Sequence, residues 1–130
     1  MVETDQQQAA IKDRNASHPI ATAWRPTLRE VVKSFAQGDF ALAAGIRGVA
    51  PIRPRARTQI ESYLKEYGKK LTELPDETWE TSGAQWVEPT HWEIDVDLWT
   101  DQGKSDLVLA ARVFENGGDL RFEIDSVHVP

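Results

Sequence analysis

Apolar positions in this chain recur with two different periods, helical in the first half and alternating in the second. Leu28, Val31, Val32 and Phe35 lie three or four residues apart between Pro26 and Gly38, and Thr27 and Glu30 have capping-box spacing, which predicts a helix. Asp39 is placed to cap a short second helix through Phe40, Leu42 and Ala43, ended by Gly45. Two prolines and a glycine make residues 47–54 a loop. A third helix follows, with Ile60, Tyr63, Leu64 and Tyr67 on one face and Gly68 placed to end it. Residues 1–18 carry no apolar period and read as a flexible lead-in, leaving 19–130 as a single domain.

After Leu74-Pro75 the period becomes two. Trp92, Ile94, Val96 and Leu98 alternate with His91, Glu93, Asp95, Asp97 and Trp99, the pattern of a strand with one face buried. A four-residue loop, 101–104, predicts the pairs Leu98 with Leu107, Val96 with Leu109, Ile94 with Ala111 and Trp92 with Val113. The turn Asn116-Gly-Gly-Asp119 then sets Val113 opposite Phe122, Ala111 opposite Ile124 and Arg112 opposite Glu123. Both registers place the apolar sets on the same face. The stretch from Trp79 to Trp86 supplies a further strand. The expected fold is therefore α+β, with N-terminal helices packed on one face of an antiparallel β-meander of three to four strands.

Charge divides along the same line as periodicity. Of the net −6, residues 1–70 carry +5, from 12 Lys/Arg against 7 Asp/Glu, while residues 71–130 carry −11, from 3 against 14. Such a division fits a basic helical layer paired with an acidic sheet, and equally an acidic surface offered to a basic partner. Arg53, Arg55 and Arg57 crowd the start of the third helix, where the helix dipole disfavours cations. A pI near 5.0, with no aromatics interleaved among the basic residues, argues against nucleic acid. With no Cys there is no disulfide, thiolate metal site or Cys nucleophile. The opening Met-Val-Glu-Thr-Asp-Gln-Gln-Gln lacks the plan of a leader, and no apolar run is long enough to span a bilayer, so the cytosol is the expected compartment and no membrane partner is expected.

Two surfaces are candidates for function. On the outer sheet face, Glu93, Asp95 and Asp97 form an acidic row beside Trp99, Asp106, Val108, Val127 and Val129, an apolar patch rimmed by carboxylates that suits a protein partner. Burial beneath the Trp79–Glu88 segment, or within a homodimer, fits the same residues. On the inner side, Ser126 and His128 fall where core is expected and, with Tyr63, Tyr67 and Trp92, would line a pocket between helices and sheet. A bulge near Asp125 would instead turn Val127 and Val129 inward and His128 outward. His91, Glu93, Asp95 and Asp97 do not read as a metal site, because same-face residues on one strand sit roughly 7 Å apart and do not converge. No phosphate loop, dinucleotide fingerprint, nucleophile elbow or zinc-helix motif occurs, so no catalytic residue and no cofactor is assigned.

The stretch Trp92-Glu-Ile-Asp-Val-Asp-Leu-Trp-Thr100, continuing through Gly103-Lys-Ser-Asp-Leu-Val-Leu109 to His128-Val129, resembles a family of small uncharacterised bacterial proteins. Tyr67-Gly68 and Leu74-Pro75 extend the resemblance over residues 26–129, and it implies no known activity. Helices followed by a curved meander also look like cystatin-like and nuclear-transport-factor-like folds and like immunity proteins of bacterial toxin systems, an analogy of fold alone. The expected function is non-catalytic binding of a basic protein through the acidic face, in the manner of an immunity-type inhibitor. The alternatives are a small-molecule-binding or enzymatic domain with a pocket near His128, and a homodimeric structural domain.

Overall fold

A computed structural model describes residues 7–130. Two helices, α1 (Arg25–Ala36) and α2 (Pro54–Tyr67), precede four strands, β1 (Gly83–Val87), β2 (His91–Thr100), β3 (Gly103–Asn116) and β4 (Asp119–His128). The strands form one antiparallel sheet in the order β1-β2-β3-β4. The helices lie on one face of it, an α+β layout.

α1 buries Leu28, Val31, Val32 and Phe35, the stripe its sequence period predicts. Its start differs from expectation. A 3-10 turn at Thr22–Trp24 runs directly into the helix, so Trp24 is the N-cap and Thr27 lies inside the first turn, where the Thr27–Glu30 capping box has no role. The predicted short helix after Asp39 is a series of turns instead. Asp39 does accept the Ala43 N–H as a cap would, but Leu42 at φ 55° and Gly45 at φ 77° turn the chain out of right-handed helix. α2 starts at Pro54, whose missing N–H costs nothing there, and ends at Gly68 in the left-handed conformation.

Both hairpin registers agree with the sequence reading over their regular parts: Trp92, Ile94 and Val96 face Val113, Ala111 and Leu109, and Val113, Arg112 and Ala111 face Phe122, Glu123 and Ile124. The expected Leu98–Leu107 pair is replaced by a register shift between Asp97 and Trp99. Ser105 holds this break together, since its hydroxyl donates to the Leu98 carbonyl at 2.7 Å and accepts the Leu107 N–H at 3.0 Å. A second shift lies between Ala110 and Ala111, where Asp125 is the extra residue of β4. The extra residue there turns Val127 into the core, fully buried, and puts Ser126 and His128 opposite Ala110 and Val108 on the outer face. The strand expected from Trp79 to Trp86 starts only at Gly83, because Asp76–Glu80 form a 3-10 turn that buries Trp79.

The core is aromatic at its centre. Trp92 stacks edge-on between Trp24 and Trp86, with ring centroids 5.0 and 4.7 Å away, and Trp24 also meets Phe122. Each such pair adds about 0.5–1.5 kcal/mol beyond its burial. Of the lead-in, residues 1–6 lie outside the described residues. The remainder is held to the sheet: His18 exchanges both backbone hydrogen bonds with Ala84, and the Ile11 carbonyl accepts from the Trp92 indole.

Each sheet edge is covered by a short segment, which keeps unpaired strand groups from pairing with another chain. Residue 18 covers β1, while Gly48 and Ala50 bond the Phe122 N–H and C=O on β4. Gln59 of α2 then takes both backbone groups of Val127 with its side-chain amide.

Candidate functional site

With both helices on the inner side, the outer sheet face is formed mainly by the strands' own side chains, joined at the β1 edge by Glu80 and Thr81. His91, Glu93, Asp95 and Asp97 of β2 stand beside Phe114, Arg112, Ala110 and Val108 of β3, and Arg121, Glu123, Ser126 and His128 of β4 complete the rows.

Charge on the β3–β4 side is compensated internally. Arg112 bonds both oxygens of Asp125, with Nη2 2.9 Å from Oδ1, and lies 3.3 Å from Glu123, which in turn pairs with Arg121 at 3.0 Å. The hydrogen bonds that Arg112 donates to Asp125 raise its own pKa, so this cation keeps its proton throughout the accessible range.

On β2 compensation is incomplete. Asp97 accepts from Thr81 and sits 3.8 Å from Lys104, and Glu93 is 3.9 Å from the His91 ring. Asp95 has no cationic partner within 4 Å among the described residues. Its carboxyl pKa is raised, chiefly by partial desolvation, against an opposing pull from His128, with smaller contributions from the neighbouring Glu93 and Asp97 charges.

Beside Asp95 the surface dips into a cleft of about 470 Å3 along the β1 edge, where Glu80, Glu93 and Asp95 bring three carboxylates together with Ser82, Gly83 and His18. His18 is already engaged, its ring 3.0 Å from Asp13, whose carboxyl it holds below the usual range. The cleft therefore presents acceptors to whatever enters it. A Lys or Arg side chain, donor-only and cationic, matches that lining.

The other residues singled out from sequence are dispersed. Trp99 points outward and is half-buried, with its indole N–H buried and without a partner. Val108 faces outward but is only 7% exposed. Val127 is corrected to the core, for the bulge described above. Val129 is exposed next to the chain end, and Asp106 stands exposed with its N–H bonded to the Tyr67 hydroxyl. The expected Trp-centred patch is thus reduced to the open part of Trp99.

The five residues expected to line an inner pocket are not brought together. Trp92 is sealed in the aromatic core, Tyr63 bonds the Val129 N–H, and Tyr67 bonds Asp106. Ser126 and His128 bond each other on the outer face, Oγ to Nδ1 at 3.0 Å, outside the cleft at Asp95. Among the described residues, no three His, Asp or Glu side chains are placed to hold a metal ion, and no helix is long and apolar enough to cross a membrane.

Glu80 and the cleft were not legible in the sequence, because Trp79–Thr81 reads there as strand. Asp125 was missed because the sequence reading assigned Arg112 to Glu123, the residue directly opposite it, whereas in the folded sheet the guanidinium bonds both oxygens of Asp125 as well.

Residues 32–130 match the family model of a domain of unknown function, DUF7668. The chain belongs to this family. The matched region holds the C-terminal part of α1, all of α2 and the whole sheet, so both the outer face and the cleft at Asp95 are largely built by the DUF7668 domain. Only His18 and its neighbours at the cleft wall come from before it. No curated protein and no solved structure matches the chain.

Proposed function

We propose that this domain is a non-catalytic protein-binding module whose partner is basic, and that it receives a Lys or Arg of that partner in the acidic cleft at Asp95. The observation that carries this reading is Asp95 itself, a carboxylate beside two others, with its pKa raised and no cation within 4 Å. A partner cation placed there supplies the opposite charge that Asp95 lacks within 4 Å and compensates the partly desolvated carboxylate. The open part of the half-buried Trp99 ring supplies an aromatic contact on the same face. In its most concrete form the domain is a bacterial, cytosolic inhibitor of the immunity type, held on a basic toxin by charge.

Two copies apposed through this face would bring their carboxylate rows together, so we expect the domain to sediment as a monomer at low salt. The discriminating experiment is charge reversal, Glu93→Lys with Asp95→Lys, at two positions whose side chains face solvent. Binding to a basic partner captured from the native host is expected to weaken about 10- to 100-fold, the effect of about 1.4–2.8 kcal/mol, and to lose its salt dependence. Equal affinity and equal salt dependence in the double variant refute the proposal.

A further inference from the structure

A second cleft, of about 430 Å3, opens at the opposite edge of the sheet, between β4 and the start of α2. This volume lies in the range of sites for small molecules. We propose that the cleft binds a small organic carboxylate that carries an amide beside its anionic group. The proposal is independent of the acidic-face reading.

One wall is the ladder Arg121–Glu123–Arg112–Asp125, whose charges are matched and whose geometry is fixed by their mutual hydrogen bonds. The other wall is unmatched. Arg53 and Arg55 line the cleft, and among the described residues neither has a carboxylate within 4 Å. The first turn of α2 contains no acidic residue that would offset them. Four guanidinium groups thus face two carboxylates, a local positive excess in a chain of net charge −6. Low-dielectric walls concentrate such a field, and an anion is the species it draws.

The floor explains the amide. Phe122 directs its N–H and C=O out of the sheet toward Gly48 and Ala50. Antiparallel pairing alternates, so Ile124, two residues on and before the bulge, directs its N–H and C=O the same way. Val127 beyond it is already satisfied by Gln59. Ile124 is left between two occupied positions, and no hydrogen bond from a described residue outside the sheet reaches it. The gap is one ladder position long, roughly 7 Å, too short to add a strand but sufficient for one amide. A ligand that places an amide on Ile124 and a carboxylate between Arg53 and Arg55 uses the open backbone position and the unpaired cations together.

N-acetylglutamate has this arrangement and serves as the probe. Titrated into the full chain and followed by amide proton–nitrogen correlation spectra, it is expected to give saturable shifts at Ile124, Arg55 and Ala56. Replacing Arg53 and Arg55 together by Ala is expected to weaken the binding about tenfold or more, the loss of one charge-assisted contact, without lowering the melting temperature. Glutarate, which lacks the amide, should bind more weakly and leave Ile124 unshifted. The proposal is overturned if N-acetylglutamate causes only the linear drift seen with sodium chloride at equal ionic strength, or if the saturable shifts fall at Glu93 and Asp95 instead.

Discussion

The two edges of the sheet use the same device and end with opposite charge. At β1 and at β4 a short non-helical segment lies against the outer strand, through His18 on Ala84 and through Gly48 and Ala50 on Phe122. A cleft opens beside each. At β1 it is lined by Glu80, Glu93 and Asp95, all from the acidic second half of the chain. At β4 the sheet meets the start of α2, and Arg53 and Arg55 from the basic first half join Arg112 and Arg121. A charge division along the chain thus becomes a division in space only where the two halves meet. Much of the β4 charge is matched there, and at Asp95 it is not.

The largest expected effect on stability comes from breaking that matching. Arg112→Ala leaves Asp125 and Glu123, both partly buried, without their shared cation, and removes the bond that ties β3 to β4 across the bulge. The expected cost is about 1–2 kcal/mol, read as a lower urea midpoint and a fall of about 4–8 °C in Tm. A smaller change would mean that the matched wall is not rigid.

A pair of glycine substitutions compares how firmly each edge is covered. Gly48 has φ 83°, and a Cβ there would lie 3.2 Å from the Leu120 carbonyl in β4, which the ladder holds in place. At Gly83 a Cβ would come within 2.5 Å of Ser17 Oγ, a side-chain end that can rotate away. Gly48→Ala is therefore expected to cost about 1–2 kcal/mol and Gly83→Ala about 0.5 kcal/mol, measured by urea denaturation. The reverse order would show that the β1 edge is the more tightly held.

The smallest effect sharpens the electrostatic contrast. Because the folded pKa of Asp95 lies above its unfolded value, the ionised carboxylate weakens the fold at neutral pH. That penalty fades as pH falls through the folded pKa and is gone below the unfolded value of 3.8. Asp95→Asn should therefore raise Tm slightly at pH 7, by about 1–2 °C given the screening of an open face, and have little effect near pH 3. A lower Tm at pH 7 would mean that Asp95 is compensated after all.

How much of this was legible in the sequence depends on the range of the determining interaction. The core stripe of α1, the Gly68 terminus of α2 and the central hairpin registers were readable, because helical spacing, alternation and the Asn116–Asp119 turn act over a few residues. The division of charge was readable too, as was the presence of Glu93, Asp95 and Asp97 on one strand face. What alternation could not supply was the pair of register shifts. The first removes the Leu98–Leu107 pair, and the second moves Val127 inward and Ser126 and His128 outward. Each is set by contacts between elements, Ser105 with Leu98 in one case and Gln59 with Val127 and Arg112 with Asp125 in the other. Both clefts likewise exist only between segments distant in sequence. The chain by itself determined an acidic sheet with two faces and a basic helical half. Only the tertiary structure decided where the two charges meet and which carboxylate is left unmatched, because matching depends on distances across the sheet that no local pattern encodes.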